Sequence, residues 1–306
     1  MSEKWGFGGH ESFPLRYGWL KKGYDLLADN PMGLSSDDAM VTLGVGKNMV
    51  GSIRHWGFAC KVFMDSSTGR GVQPSAFGKR LLDSAGSDPY LEDIGSTWLL
   101  HWQLATNRAR AGAWYWLFSR PRSNRFAKDK LVRELVELLD QIGTRVSEST
   151  IARDVDVLVR SYCRRIKSAG QSAEELLESP FTTLGLLREA SSSAEYELVQ
   201  GVHPSLPVAV FEAALIEFAG VGDAIRRAVS LDELMYGDSS PGRVFRLSEE
   251  GLMARLHALQ QQRPQTYVVD ETAGLRQLLI RGQMPEIAEV LQGYYGTAAA
   301  GSSRET

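Results

Sequence analysis

Cysteine is nearly absent: only Cys60 and Cys163 occur in 306 residues. They are far apart and form no metal-spaced pair, which excludes a disulfide framework and a cysteine-built zinc site. Both are read as reduced thiols, Cys60 packed and Cys163 on a helix. The five histidines (His10, His55, His101, His203 and His257) are scattered, and no HxH, CxxC or HExxH spacing exists. No apolar run approaches the roughly 18 residues of a membrane span. Residues Met1 to His10 carry charge, Trp and Gly instead of an apolar signal segment. The expectation is a cytoplasmic protein with no membrane partner. Tryptophan is missing after residue 116, since all seven lie at positions 5, 19, 56, 98, 102, 114 and 116. That step marks an N-terminal unit of about 120 residues with its own aromatic core.

What is present is ordinary globular composition, 43% hydrophobic and 23% charged, enough for a packed core. A net charge of −3 excludes a wholly basic nucleic-acid coat, but a local basic face suffices for DNA. Such a face is suggested by Arg108, Arg110, Arg120, Arg122, Arg125, Lys128, Lys130 and Arg133, opposed in that stretch only by Asp129. The alternative is a solvated helix face. The C-terminal part is more acidic, with Glu174, Glu175, Glu178, Glu189, Glu195 and Glu197. Ser119 to Asn124, with Pro121, two Ser and two Arg, reads as a boundary. Weaker boundaries fall at Lys167 to Ser179 and near Gly220 to Ser230. The expected domains are 1–120, aromatic-rich; 121–220, helical; 221–296; and a flexible tail, 297–306.

The pattern is mainly α with small β-hairpin wings. Ser36 to Leu43 and Gly46 to Trp56 read as helices around a turn at Gly44, with Val45, Met49, Ile53 and Trp56 on one side. Phe58 to Met64, the turn Asp65 to Gly71, and Val72 to Gln73 form a small hairpin. Phe77 to Leu82 starts another helix. This helix-turn-helix plus hairpin is the winged-helix order. Phe126 to Ile142 reads as a helix, followed by one capped by Ser147, with Glu148 suiting its N-terminal dipole. Its inward residues are Ile151, Val155, Leu158 and Tyr162; Arg153, Arg160 and Arg164 face out. Glu195 to Gln200 reads as a strand. Ser230 to Met235, Val244 to Leu247 and Glu249 to Gln261 give a third helix–strand–helix unit. The expectation is therefore tandem winged-helix or helix-turn-helix units.

The strongest local motif is Leu43 to Trp56. A recognition helix needs one apolar side and one polar side that enters the major groove. The exposed set here is Lys47, Asn48, Gly51, Ser52, Arg54 and His55. Asn reads adenine, and Arg or Lys reads guanine or holds phosphate. The alternative is a helix-turn-helix packed only against protein. Gly46-Lys47 is not a phosphate loop, because Val41 stands where the first Gly belongs and Asn48 where Ser or Thr binds magnesium. Arg70, between Gly69 and Gly71, sits at the wing tip, either on phosphate or in solvent. In the segment Phe7 to Tyr24, His10 is a candidate general base or metal ligand, Glu11 a metal ligand or base, and Arg16 a partner for phosphate charge. A divalent ion, magnesium or manganese, belongs to this reading. Against it, neighbours on a strand diverge, and such residues also serve packing. Asp88 to Asp93 is a cation site or a capping cluster, and His101 with Trp102 reads as core. Ala113 to Phe118 reads as core unless exposed. Asp154 and Asp156 point about 200° apart on a helix, so they form no metal pair by themselves.

Three segments carry a resemblance: Gly9 to Gly23; Leu43 to Val50 with Arg54 and Trp56; and Asp88 to Asp93 with Leu100 to Asn107 and Trp114 to Phe118. They resemble the SspB-like DNA nickases of the Ssp single-strand DNA phosphorothioation systems, a bacterial domain family. The resemblance covers nearly the whole chain and is most specific in the first 120 residues. Ser12 and Pro14 depart from the pattern, which has Thr and His there. The resemblance implies a nickase in phage defence, working beside a cysteine desulfurase, an ATPase and an ATP-pyrophosphatase-like enzyme. By the same resemblance, the expected role of the nick is to open the backbone so that a non-bridging oxygen can be replaced by sulfur. His10, Glu11, Arg16, Lys47 and Asn48 match the pattern. Three functions stay open: a nicking enzyme; a non-catalytic DNA-binding adaptor that recruits the sulfur-transfer machinery; and a protein-interaction scaffold. The candidate sites are His10, Glu11 and Arg16 for chemistry, and Lys47, Asn48, Ser52, Arg54, His55, Arg70, Arg153 and Arg160 for DNA.

Overall fold

A computed structural model describes residues 4–66, 69–120, 123–163, 178–190, 194–220, 226–272 and 276–302. Arg122, Arg164, Pro121, Ser67 and Thr68 lie outside the described residues, as do most of the expected boundary at 167–179 and residues 221–225 of the next. The chain is mainly helical, 53% helix, with small antiparallel sheets. It divides into two compact units, residues 1–117 with 121–199, and 118–120 with 200–306. Contacts thus join most of the expected N-terminal and central domains into the first unit.

The first unit begins with α1 (Trp19–Asp29), α2 (Ala39–Leu43) and α3 (Lys47–Ala59). Gly44 adopts φ 63° and ends α2, the left-handed cap that Gly enters without a Cβ penalty. Lys22 donates to the Leu43 carbonyl, one of the orphan acceptors at that helix end. The hairpin follows as β1 (Phe63–Asp65) and β2 (Val72–Pro74), antiparallel, with Phe63 opposite Pro74. Helix α3 passes so close to β1 that a Cβ at Gly57 would lie 1.8 Å from the Phe63 ring. Then come α4 (Ala76–Leu82), α5 (Ile94–Ala105) and α6 (Gly112–Ser119), the last ending in the second unit. Trp56, Trp98 and Trp114 are fully buried, and Trp56 meets Trp114 edge-on at 5.5 Å. All the tryptophans except Trp116 are buried, as the composition step suggested.

The rest of this unit is β3 (Arg125–Ala127), α7 (Lys128–Gln141), α8 (Glu148–Tyr162), β4 (Leu187–Glu189) and β5 (Glu195–Leu198). The strand order is β3-β5-β4, all antiparallel. The expected helix from Phe126 therefore starts two residues late, because Phe126 pairs with Tyr196 in the sheet. Ser147 caps α8 by accepting from Thr150 N, as expected. Leu131, Leu135 and Leu139 of α7 pack with Ile151, Val155 and Leu158 of α8, all at most 3% exposed. Each such side chain contributes about 1.5–3 kcal/mol from apolar burial.

The second unit contains α9 (Val208–Ala219), β6 (Ala228–Ser230), α10 (Leu231–Tyr236), α11 (Pro241–Val244), α12 (Glu249–Gln262), β7 (Tyr267–Asp270), β8 (Gln277–Ile280) and α13 (Ile287–Ser302). Its strand order is β6-β8-β7. The expected strand at Val244 to Leu247 is instead the end of α11 and a turn, with Leu247 in an isolated bridge to Gly201. Ser240 caps α11 and Pro241 starts it, so the Ser-Pro pair was a helix start. The expected flexible tail from 297 continues as helix to Ser302. Glu212 of α9 is buried and ion-paired at 3.0 Å with Arg263.

Candidate functional site

The N-terminal loop Gly8 to Ser12 is held on two sides within the first unit. Gly8 and Gly9 have φ of 74° and 87°, and Glu11 and Ser12 have 48° and 64°. Phe13 N donates to the His10 carbonyl at 2.8 Å, which closes a turn with both central residues at positive φ, the type I′ pattern. Gly and Asn favour those positions, so Glu11 and Ser12 carry strain of about 1–3 kcal/mol each. The surroundings hold it. Trp56 Nε1 donates to the Phe13 carbonyl at 3.0 Å, and Arg160 Nη2 donates to the Ser12 carbonyl at 2.7 Å.

His10 is 1% exposed, and both ring nitrogens are engaged. Ser12 N donates to Nδ1 at 3.1 Å, which assigns the proton to Nε2, and Nε2–H donates to Asp154 Oδ1 at 2.9 Å. Asp154, on α8, also accepts from Gly8 N at 2.9 and 3.1 Å. His10 and Glu11 diverge as expected, though through a turn and not a strand: the imidazole is buried and Glu11 is exposed. Glu11, Ser12, Thr150 and Arg153 line a shallow, open pocket with the His10–Asp154 pair.

Helix α8 supplies the far wall. Arg153 is exposed and has no carboxylate partner among the described residues. Arg160, expected to face out, is half-buried: its Nε donates to Asp156 at 2.8 Å, and Lys128 joins Asp156 at 2.8 Å. Burial works against the ionised Asp156, but the Lys128 hydrogen bond and the two cations outweigh it and hold its pKa below the usual range. Asp154 and Asp156 serve different partners, as their angular separation required.

Helix α3 lies against the loop itself. A Cβ at Gly9 would sit 2.9 Å from His55 Nδ1, and Gly51 faces the Glu11 side chain. Of the expected exposed set, Lys47, Asn48 and Arg54 are exposed and Gly51 is half-exposed. Two expectations are corrected. Ser52 is fully buried with its hydroxyl unpartnered, and His55 is turned inward with Nε2 buried and unpartnered. The cause is that α3 is covered on two sides, by α1 with β1 and by the N-terminal loop, so its buried arc is wider than a solvent-facing helix-turn-helix needs. Burial first, then the neighbouring His10 imidazole and the Arg110 charge, push the His55 pKa down to about 3.

Arg16 is half-buried, its guanidinium over the rings of Phe13 and Trp19 at 5.4 and 5.2 Å. Arg70 is exposed at the hairpin tip. Asp88 is a capping residue: its carboxylate accepts from Glu92 N, Asp93 N and Ser96 Oγ, while Asp93 caps α5. His101 is core, with Nδ1 2.7 Å from the Tyr162 hydroxyl. Among the described residues no three His, Cys, Asp or Glu side chains come together as metal ligands, and no helix is long and apolar enough to cross a membrane. Asp154 is the site residue that sequence reasoning missed; its partners lie 144 and 146 positions away, and no local pattern shows them.

The chain as a whole matches known proteins. A family described as protein of unknown function, DUF4007, matches residues 7–295. A solved structure of SspB is 33% identical, with a TM-score of 0.84, covering 95% of this chain and 88% of that one. A magnesium ion-bound structure of SspB is 32% identical, with a TM-score of 0.85 and the same coverage. The chain belongs to this SspB-like, DUF4007 family. No curated protein matches it.

Proposed function

We propose that this protein is the DNA-binding, nicking component of a single-strand DNA phosphorothioation system. The family resemblance supports the setting, and with it a cysteine desulfurase, an ATPase and an ATP-pyrophosphatase-like enzyme as partners. The observation that carries the reading is the continuity of one surface. Lys47, Asn48 and Arg54 are exposed on α3, the Gly8–Ser12 loop lies against Gly51 and His55 of that helix, and Arg153 stands exposed across the loop. Helices α2 and α3 with hairpin β1–β2 are read as a winged helix. The β3–α7–α8–β4–β5 and β6–α10–α11–α12–β7–β8 runs are read the same way, since in both the first strand pairs with the last. In such a unit the second helix enters the major groove and the wing follows the backbone. Asn48 is then placed for a base edge, and Lys47, Arg54 and Arg70 for guanine or phosphate.

For the nick, Glu11 is the exposed carboxylate beside the pocket, and Arg153 the cation for phosphate charge. The magnesium ion-bound relative supports a divalent ion. The oxygen donors here, the Glu11 carboxylate and Ser12 hydroxyl, form no full cage. Magnesium in such a place would keep most of its waters and lean on substrate phosphate. One observation favours the adaptor as a second reading: both nitrogens of His10 are committed inside the protein, so the residue holds the loop and does not reach for substrate.

The test is conversion of supercoiled plasmid to open circle by purified protein with magnesium or manganese, beside Glu11→Gln, Arg153→Ala and Arg54→Ala. Nicking by the wild type that Glu11→Gln abolishes, with binding kept, supports the enzyme. Binding without nicking at any metal concentration sinks it and leaves the adaptor. No salt-dependent binding at all leaves only a scaffold.

A further inference from the structure

The loop between α5 and α6 is built onto the C-terminal end of α3. Asn107 Nδ2 donates to the Phe58 and Ala59 carbonyls at 3.1 and 2.9 Å, at the helix end where i→i−4 amide donors run out. Arg110 N and Ala111 N both return to the Asn107 carbonyl. The N-terminal chain closes the other side: Gly6 N donates to the Arg108 carbonyl, and Gly112 N to the Gly6 carbonyl. A Cβ at Gly6 would lie 2.1 Å from the Ala109 carbonyl oxygen, so the approach admits only glycine.

The result is a fixed place for Arg110. Its guanidinium carbon lies 4.6 Å from the centroid of the buried Phe58 ring, and that of Arg54 lies 5.2 Å from the same centroid. The two exposed cations are therefore within about 10 Å of each other, given those distances. The carboxylate near them is Asp65, whose Oδ2 is 4.0 Å from Arg110 Nη2 with a 75% exposed side chain. An exposed pair at that distance neutralises little. Other cations of the same unit are served at closer range: Lys128 and Arg160 reach Asp156 at 2.8 Å, and Arg133 reaches Asp129 at 2.9 Å. The Arg110 field also reaches inward, as one of the causes lowering the His55 pKa.

We infer that Arg110 and Arg54 form a phosphate clamp that seats a DNA backbone phosphodiester just past the C-terminal end of α3. The inference rests on the DNA-binding reading above. Phosphodiester is favoured over an acidic peptide because Arg54 lies seven residues after Lys47. That spacing is two turns, about 10 Å along the same face of the helix. Lys47, Arg54 and Arg110 thus continue one line of positive charge from the exposed start of α3 beyond its end.

The experiment is fluorescence anisotropy of a labelled duplex against salt, with wild type, Arg110→Ala, Arg110→Lys, Arg54→Ala and Asp65→Asn. Arg110→Ala should weaken binding about tenfold, equally for unrelated sequences. It should also lower the magnitude of the log K against log salt slope by about 0.9, one phosphate contact. Arg110→Lys should keep the slope. Asp65→Asn should bind more tightly, a gain that misfolding cannot produce. A wild type that binds while Arg110→Ala keeps its affinity and slope and Asp65→Asn is unchanged overturns the clamp alone. A sequence-dependent loss in Arg110→Ala also overturns it, since that would be base reading. A wild type that binds no DNA at low salt overturns both the clamp and the function on which it rests.

Discussion

Replacing Asp154 with alanine removes the acceptor for the Gly8 amide and the His10 Nε2–H in one step. The two donors pay differently. His10 is 1% exposed and finds no water, so its stranded donor costs about 1–3 kcal/mol. Gly8 is half-buried and recovers part of its bond from solvent. The strain at Glu11 and Ser12 then favours release of the loop, which the Trp56 and Arg160 hydrogen bonds resist. The expected cost is about 3 kcal/mol for Asp154→Ala and about half that for Asp154→Asn, which keeps one acceptor oxygen. Because the loop can open locally, the sharper assay is amide hydrogen exchange. Ser12 N and Phe13 N, bonded to His10 Nδ1 and His10 O, should exchange roughly a hundredfold faster in Asp154→Ala. Urea unfolding gives the global part. Unchanged protection at those two amides, with an unchanged urea midpoint, would refute the view that Asp154 anchors the loop.

Three further outcomes follow from the geometry. Gly57→Ala drives a Cβ into the Phe63 ring and should cost about 2–3 kcal/mol, with partial recovery in the Gly57→Ala, Phe63→Leu double variant; additive losses in a double-mutant cycle would count against the contact. His55 has a folded pKa of about 3 against about 6.5 unfolded, so the unfolded chain binds the proton first and stability falls as pH drops from about 6.5 toward 3. The wild type should lose about 2 kcal/mol more than His55→Gln between pH 7 and pH 4.5, and equal losses in urea titrations would disprove this. Arg263→Met leaves the buried Glu212 carboxylate without its cation and should cost about 2–3 kcal/mol at pH 7. Burial already raises the Glu212 pKa, so the folded unit takes that proton at higher pH than the unfolded chain, and part of the loss should return at pH 5; a deficit that grows on acidification would contradict the pairing.

What the sequence disclosed was local. The Gly44 stop, the Ser147 cap and the β1–β2 hairpin each rest on neighbours a few residues apart, and each is present. What it hid was distant. Phe126 reads as helix because nothing nearby shows that Tyr196 pairs with it. Asp154 reads as one of two diverging acids because His10 lies 144 positions upstream. His55 and Ser52 looked exposed because a recognition-helix template assumes one covered side, whereas the N-terminal loop covers a second. The error at Val244 to Leu247 was different in kind. Val244 to Leu247 reads as a strand by itself, whereas in the structure Ser240 and Pro241 start a short helix that ends at Val244.

The basic residues also sort themselves only in three dimensions, and the sorting makes Glu11 informative. Lys128 and Arg160 are neutralised by Asp156, whereas Lys47, Arg54 and Arg153 have no carboxylate partner among the described residues. Lys47, Arg54 and Arg153 thus stand as unspent cations on the two helices that flank one loop, and the exposed carboxylate of that loop is Glu11. A negative charge there opposes phosphate binding, so a protein that only binds DNA gains by losing it. Glu11→Gln should bind a labelled duplex more tightly at low salt under either functional reading, because a repulsion is removed without disturbing a buried group. The readings part on cutting. If Glu11 acts on water or metal, the tighter-binding variant relaxes no plasmid. If the loop only recognises DNA, Glu11→Gln binds more tightly and any relaxation by the wild type persists. Weaker binding by Glu11→Gln would contradict the placement of phosphate beside this loop altogether.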